Sequence, residues 1–291
     1  MVRPAVLCAA VLVLTGCAQA ERPGWTGDLP AVRPSGDAAL QAAVDADWRS
    51  PEARARDAFR HPVESLQFWG LRPGMTVVEI EPGAEAWWTD ILAPYAARTG
   101  GRYVAAYVDL AAPNVSDAAK KVRTDFEAKV GDFQRYGAAR TVNFGMTSGL
   151  QMEPNSADLI LVARAFHNWG RAGRTDRYMS EFFRVLKPGG VLAVEQHRAP
   201  DGSNWEQTAP TGYVPESYVV EAAQKAGFRL DGRSEVNANP RDTRDHPFGV
   251  WTLPPVRRAE QGGRTLTAEE RARYDAIGES DRMTLRFRKP G

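Results

Sequence analysis

From residue 76 onward the chain alternates between short, continuous apolar runs rich in β-branched residues and longer segments whose apolar positions recur every three or four residues. The runs at 76–80, 102–108, 140–144, 157–162 and 191–195 predict strands, and the longer period predicts helices over 87–95, 115–129 and 174–186. Lys187-Pro188-Gly189-Gly190 is expected to break the last of these, since neither proline nor paired glycines continue a helix. A helix over 215–226, stopped by Gly227, leads to a strand over 228–236. Strands that are apolar on both faces and alternate with helices predict a parallel sheet covered on both sides, a doubly wound, Rossmann-like α/β fold.

The flanks have other patterns. Helices are expected over 38–48, 51–59 and 62–70, the last opening at Pro62, carrying Val63, Leu66 and Trp69 inward and stopping at Gly70. Residues 21–50 are rich in Pro, Gly and Ala and suit a tether. After the sheet come a polar loop (237–246), a short strand (249–253), a helix capped by Thr267 (267–277) and a last strand (283–287), expected to insert antiparallel at the sheet's end. The resulting division is a leader (1–20), a linker with an N-terminal helix (21–55), the sheet core (56–236) and an extension completing the sheet (237–291).

The first twenty residues change the picture of where the chain works. Arg3, an apolar run over 5–14 and the small residues behind it read as a secretory leader, too short to span a bilayer. Leu14-Thr15-Gly16-Cys17 resembles the bacterial lipobox, with lipidation at Cys17, and Ala18-Gln19-Ala20 offers ordinary cleavage instead. The expectation is an exported protein, periplasmic or membrane-anchored as a lipoprotein. Cys8 lies inside the leader, so the mature chain has no internal disulfide and cysteine chemistry is excluded from catalysis. With 37 basic and 36 acidic residues, no global field points to nucleic acid or an anionic membrane, which leaves a small molecule as the expected partner.

In open α/β sheets ligands bind at the carboxyl ends of the strands, where strand order reverses. The candidates are therefore 79–88, Asp109, 145–149, 163–169 and 195–198. Leu71-Arg72-Pro73-Gly74-Met75 before a strand ending in Glu79, Phe183-Arg184-Val185-Leu186-Lys187-Pro188-Gly189-Gly190 before another, and Tyr213-Val214-Pro215-Glu216 leading to Ala226-Gly227-Phe228 resemble the signatures of class I S-adenosyl-L-methionine (SAM) methyltransferases. Arg60-His61-Pro62, Glu195-Gln196-His197-Arg198, 237–247 and Gly278-Glu279-Ser280-Asp281-Arg282-Met283 resemble, more narrowly, a family of exported bacterial predicted methyltransferases. The resemblance implies a class I methyltransferase sheet, parallel with an antiparallel C-terminal strand, SAM as cofactor, and methyl transfer to a small-molecule acceptor.

In that class strand one is followed by three glycines at alternate positions, which let the backbone turn tightly against the cofactor. Here Glu79 and Gly83 match, whereas Glu81 and Glu85 occupy the outer glycine positions; a register with one inserted residue puts Ala86 third. Either way a Cβ or a carboxylate enters the space of the methionyl part of SAM, and Glu85 can cap its own helix there. The resemblance assigns cofactor contacts to Glu79, Pro82, Gly83, Ala84, Ala86, Asp109, Thr147 and Ala165. Asp109 suits the two ribose hydroxyls and equally a turn-forming Asp, and Gly145-Met146-Thr147 lacks the acid that commonly reads adenine.

His167 and Asn168 follow the fourth strand, and His167 can take a proton from the attacking group or cap the next helix. Glu195 and His197, two residues apart, point the same way and can form a carboxylate-oriented imidazole, or Glu195 can serve a salt bridge. Tyr213 reads as a substrate wall or as packing. His246 with Asp242 and Asp245 has ligand types without an established metal spacing, and a loop bonding its own backbone accounts for it; no metal is expected. Two functions stay open: a SAM-dependent methyltransferase, or a catalytically inactive, ligand-binding lipoprotein of the cell envelope on the same scaffold.

Overall fold

The computed structural model describes residues 37–291; the leader, Cys17 and the tether up to residue 36 lie outside the described residues. Four short helices come first: α1 (Ala38–Val44), α2 (Pro51–Ala55), α3 (Asp57–Arg60) and α4 (Pro62–Phe68). The helix expected over 51–59 is split at Arg56, and His61, in the left-handed region at φ 39°, separates α3 from α4. Then follow β1 (Thr76–Ile80), α5 (Thr89–Arg98), β2 (Arg102–Val108), α6 (Asp117–Val130), α7 (Phe133–Tyr136), β3 (Arg140–Gly145), β4 (Gly149–Leu150) and β5 (Ala157–Ala163). The chain continues through α8 (Phe166–Arg171), α9 (Thr175–Val185), β6 (Leu186–His197), α10 (Trp205–Thr208), α11 (Glu216–Lys225) and β7 (Arg229–Ser234). The tail holds β8 (Pro247–Val250), the hairpin β9 (Glu260–Gln261) and β10 (Arg264–Thr265), α12 (Ala268–Ile277) and β11 (Arg282–Arg288).

Eight strands form one sheet in the order β4-β3-β2-β1-β5-β6-β11-β7. β1, β2, β3, β5 and β6 are parallel, β4 folds back on β3, and β11 runs antiparallel to both neighbours. Two expectations need correction. β11 does not lie at the sheet's end but between β6 and β7, where Met283, Leu285 and Phe287 are covered completely. The helix ends at Val185, ahead of Lys187 to Gly190 as expected, but the following strand starts before residue 191: these residues belong to β6, where the Gly189 amide donates to the Lys289 carbonyl and the Lys289 amide to that of Gly190.

Alternate side chains of each strand enter two cores. Val78, Ile80, Ile160, Val162 and Val194 pack under α8, α9 and α11, whereas Val77, Ala105, Leu159, Leu161 and Ala193 pack under α1, α4 and α5. Each fully buried aliphatic side chain contributes roughly 1.5–3 kcal/mol, so the central strands are a rigid base for what their ends carry. The chain winds from β1 to β3 on one side and returns to β5 and β6 on the other, which opens a crevice between the loops leaving β1 and β5. No helix among the described residues is long and apolar enough to cross a membrane.

Candidate functional site

Two cavities meet in that crevice, and Glu81 lines both. The first, about 370 Å³, is bounded by Val108, Asp109, Phe144, Thr147, Arg174 and Tyr178. The second, about 260 Å³, is bounded by Gly83, Arg164, His167, Asn168, His197 and Trp251, with Pro82 and Ala165. Eight of the residues expected from sequence thus reach the cleft: Pro82, Gly83, Asp109, Thr147, Ala165, His167, Asn168 and His197.

The turn after β1 keeps left-handed backbone at positions where glycine is replaced as well as at Gly83. Glu81 sits at φ 48°, Gly83 at 76° and Ala86 at 50°, all left-handed. A non-glycine residue there costs about 1–2 kcal/mol, so the sheet and α5 hold the turn against the preference of Glu81 and Ala86. Glu81 accepts a hydrogen bond from Trp169 Nε1 at 3.0 Å. Water reaches its carboxylate through the cleft, yet protein surrounds it, and this burial raises its pKa against the opposing pull of Trp169 and Arg174.

Other loop residues are placed differently from expectation. Glu79 points away from the cleft, under α5, where Oε2 accepts from Tyr103 Oη (2.6 Å) and Thr89 Oγ1 (2.9 Å); burial pushes its pKa up to about 7. Ala86 is buried in the apolar core beside Trp87 and Trp88, and Ala84 is exposed and lines neither cavity. Glu85 does not cap α5: it is exposed and paired with Arg56. Only one carboxylate of the loop, that of Glu81, therefore faces the cleft.

At the end of β2, Asp109 Oδ1 accepts from the Ala111 amide at 3.0 Å, the turn-forming bond, while the residue also lines the larger cavity. A carboxylate accepts more than one hydrogen bond, so the two readings of Asp109 coexist.

The imidazoles of His167 and His197 lie 6.2 Å apart, and that of His167 packs 5.9 Å from Trp251. His197 Nδ1 bonds Ser280 Oγ at 2.6 Å rather than Glu195, whose Oε2 accepts from Trp88 Nε1 (3.1 Å) and whose Oε1 stands 3.1 Å from Arg282 Nη1. The expected Glu195–His197 pair is thus not formed, because Arg282, opposite His197 in the β6–β11 register, claims the carboxylate. Burial and then Arg164 lower the pKa of His167 to about 4; burial and then Arg282 hold that of His197 well below its ordinary value. Both rings are neutral at pH 7.

Of the metal candidates, His246 Nε2 bonds Asp242 Oδ1 at 2.7 Å, Tyr213 Oη donates to the same carboxylate at 3.0 Å, and Asp245 bonds Thr243 instead. Asp242 also accepts from the Asp281 amide at 2.8 Å, so this group ties the tail to β11 rather than bonding only its own backbone. Arg164 and Trp169 lie within the candidate segment 163–169 without an assigned role, and Trp251 lies outside every candidate segment. The one signal for Arg164 is its place directly after β5, at the reversal point.

Residues 89–194 match a model of the methyltransferase domain. The match begins just past the turn of Glu81 and ends in β6. No curated protein sequence matches the chain. Among solved structures, the chain resembles the [4+2]-cyclase SpnF, at 19% identity over 85% of each chain with a TM-score of 0.51. It also resembles a Haloferax volcanii protein described as a methyltransferase, in complex with the Trm112 methyltransferase activator, at 17% identity over 87% of this chain and 98% of that one, TM-score 0.50. A SAM-dependent methyltransferase from Aquifex aeolicus shares 21% identity over 65% of this chain and 89% of its own, TM-score 0.47. The fold is the Rossmann-like sheet seen in class I methyltransferases, and the match to the methyltransferase-domain model lies on residues 89–194 of it.

S-adenosyl-L-methionine is the cofactor of class I methyltransferases, and two carboxylates of the cleft suit it. A nucleoside with vicinal hydroxyls needs an acceptor at the end of β2, which Asp109 supplies. A sulfonium and an ammonium are favoured beside a carboxylate, and that of Glu81 lies between the two cavities.

Proposed function

We propose that the cleft binds S-adenosyl-L-methionine and that the protein transfers its methyl group to a small molecule seated beside His167 and His197. One observation carries the reading: the methyltransferase-domain match overlies β2, β3 and β5, whose carboxyl ends open onto the cleft, with Asp109 at the end of β2 lining it. Asp109 would hold the ribose hydroxyls and Glu81 the cationic end. When bound, the cofactor supplies a methyl group on positively charged sulfur that leaves as a neutral thioether. His167, neutral at pH 7, accepts a hydrogen bond and orients an N–H or O–H of the acceptor, but its low pKa makes it a weak base. The acceptor therefore arrives as a good nucleophile in its own right.

The test is incubation of the mature protein with methyl-labelled SAM and a small-molecule extract of the source cells. Label in a new organic product is expected. Binding of the cofactor without transfer would leave a binding protein and reject the enzyme. We further infer export from the leader and the lipobox-like Cys17. Fractionation should recover the protein in the envelope, with labelled fatty acid on Cys17 if lipidated; unlabelled protein in the cytosol contradicts export.

A further inference from the structure

Beneath the turn that leaves β1, four guanidiniums gather around two buried carboxylates. Glu279 is shared by Arg56 (2.6 Å), Arg60 (3.0 Å) and Arg282, and Glu195 faces Arg282. The fourth cation, Arg164, feels these same two carboxylates, both already engaged by other arginines. Glu85, the remaining acid of the group, is two-thirds exposed. Cations thus exceed buried anions by two, and buried charge is tolerated only when it is paired.

The excess is visible as unused donors. Both Nη atoms of Arg60, Nη2 of Arg56 and Nε of Arg164 and Arg282 are enclosed without a hydrogen-bond partner, although the Arg60 guanidinium also rests on the Trp87 ring. Arg164 alone of the four lines the cleft, beside His167 and His197. It does so from φ 59°, a left-handed conformation that an arginine adopts only when its surroundings impose it.

We propose that this half of the cleft is an anion subsite walled by Arg164, and that the methyl acceptor carries a carboxylate or phosphate group held there. The proposal rests on the methyl-transfer reading only in naming the anion's bearer as the acceptor. A dianion at Arg164 offsets the surplus charge of the group. The neutral ring of His197 can donate to it without adding to that surplus. The competing occupant is the cofactor's own carboxylate, and the experiment separates the two.

The mature protein is titrated with sulfate, inorganic phosphate and succinate at constant ionic strength, with and without saturating S-adenosylhomocysteine. The same is done for Arg164→Gly, a residue at ease at that φ, and for Arg229→Ala, an exposed arginine on β7, as control. Expected are saturable anion binding in the wild type and in R229A, at least tenfold weaker in R164G, and persistence of that binding with S-adenosylhomocysteine present. A wild type that binds no anion, equal affinity in R164G, or release of the anion by S-adenosylhomocysteine overturns the proposal; release assigns the site to the cofactor's carboxylate. Binding of S-adenosylhomocysteine is read from its own titration. Anion binding that depends on Arg164 in a protein that ignores S-adenosylhomocysteine supports the subsite and refutes the methyl-transfer reading.

Discussion

Two buried polar groups of the molecule are balanced in different ways. In the tail, Asp242 is met by donors from Tyr213, His246 and the amides of Arg244 and Asp281, and Asp281 in turn is met by Arg198 and the Asn239 amide. Each acid there is matched by donors of the chain itself. Under the β1 turn, by contrast, arginines outnumber acids and several of their N–H groups are unused. The first group is a clasp that completes the fold. The second is a charge arrangement that an outside anion completes.

The sharpest way to break this comparison is Glu279→Gln. It leaves Arg56, Arg60 and Arg282 with Glu195 as their one buried counter-charge and should lower stability in urea by about 3–5 kcal/mol. Millimolar sulfate should restore part of the loss. A variant whose loss sulfate does not touch would make the arginine group a clasp like the other. Asp242→Ala strands four donors and is expected to cost about 3 kcal/mol. Sulfate should not repair it, and proteolysis should then reach the tail first; rescue by sulfate would erase the distinction.

Glu79 adds a third kind of buried acid, hydrogen-bonded by hydroxyls rather than by a guanidinium. Its folded pKa, about 7, lies above the ordinary 4.5, so its contribution is fully present below pH 4.5 and is lost as pH rises to 7. The loss is roughly 3 kcal/mol. His167 works in the other direction, since a depressed pKa loses stability as pH falls from 6.5 towards 4. The difference between wild type and Glu79→Gln isolates the acid: their stabilities should diverge between pH 4.5 and 7, and parallel curves would count against the shift. The smallest effect is expected for Glu81→Gly, which relieves the left-handed strain and should stabilise the fold by ~1 kcal/mol while weakening cofactor binding. Tighter binding by E81G would show that Glu81 obstructs the cofactor.

The fold was legible where one element suffices to define itself. β1 and β2 have the bounds their apolar runs predict, and the capping box of Thr267 and Glu270 marks the start of α12. What failed was information about partners. The run 283–287 announces a strand but not which strands will flank it, and six-residue α8 is too short to show a period. In the cleft, the strand-end rule located Asp109, His167 and His197. It could not reveal that Glu85 turns outward or that Arg282, far along the chain, would take Glu195 from His197. Nor could local pattern assemble the arginine group, whose members at 56, 60, 164 and 282 meet only through the topology.

Titration calorimetry with S-adenosylhomocysteine on the mature wild-type protein and on Asp109→Ala tests the central claim most directly. A charged hydrogen-bond acceptor contributes about 1.5–3 kcal/mol. The structure therefore predicts saturable binding by the wild type, weakened at least tenfold in D109A. Absence of heat at millimolar ligand, or equal affinity in the two proteins, would contradict a cofactor site in this cleft.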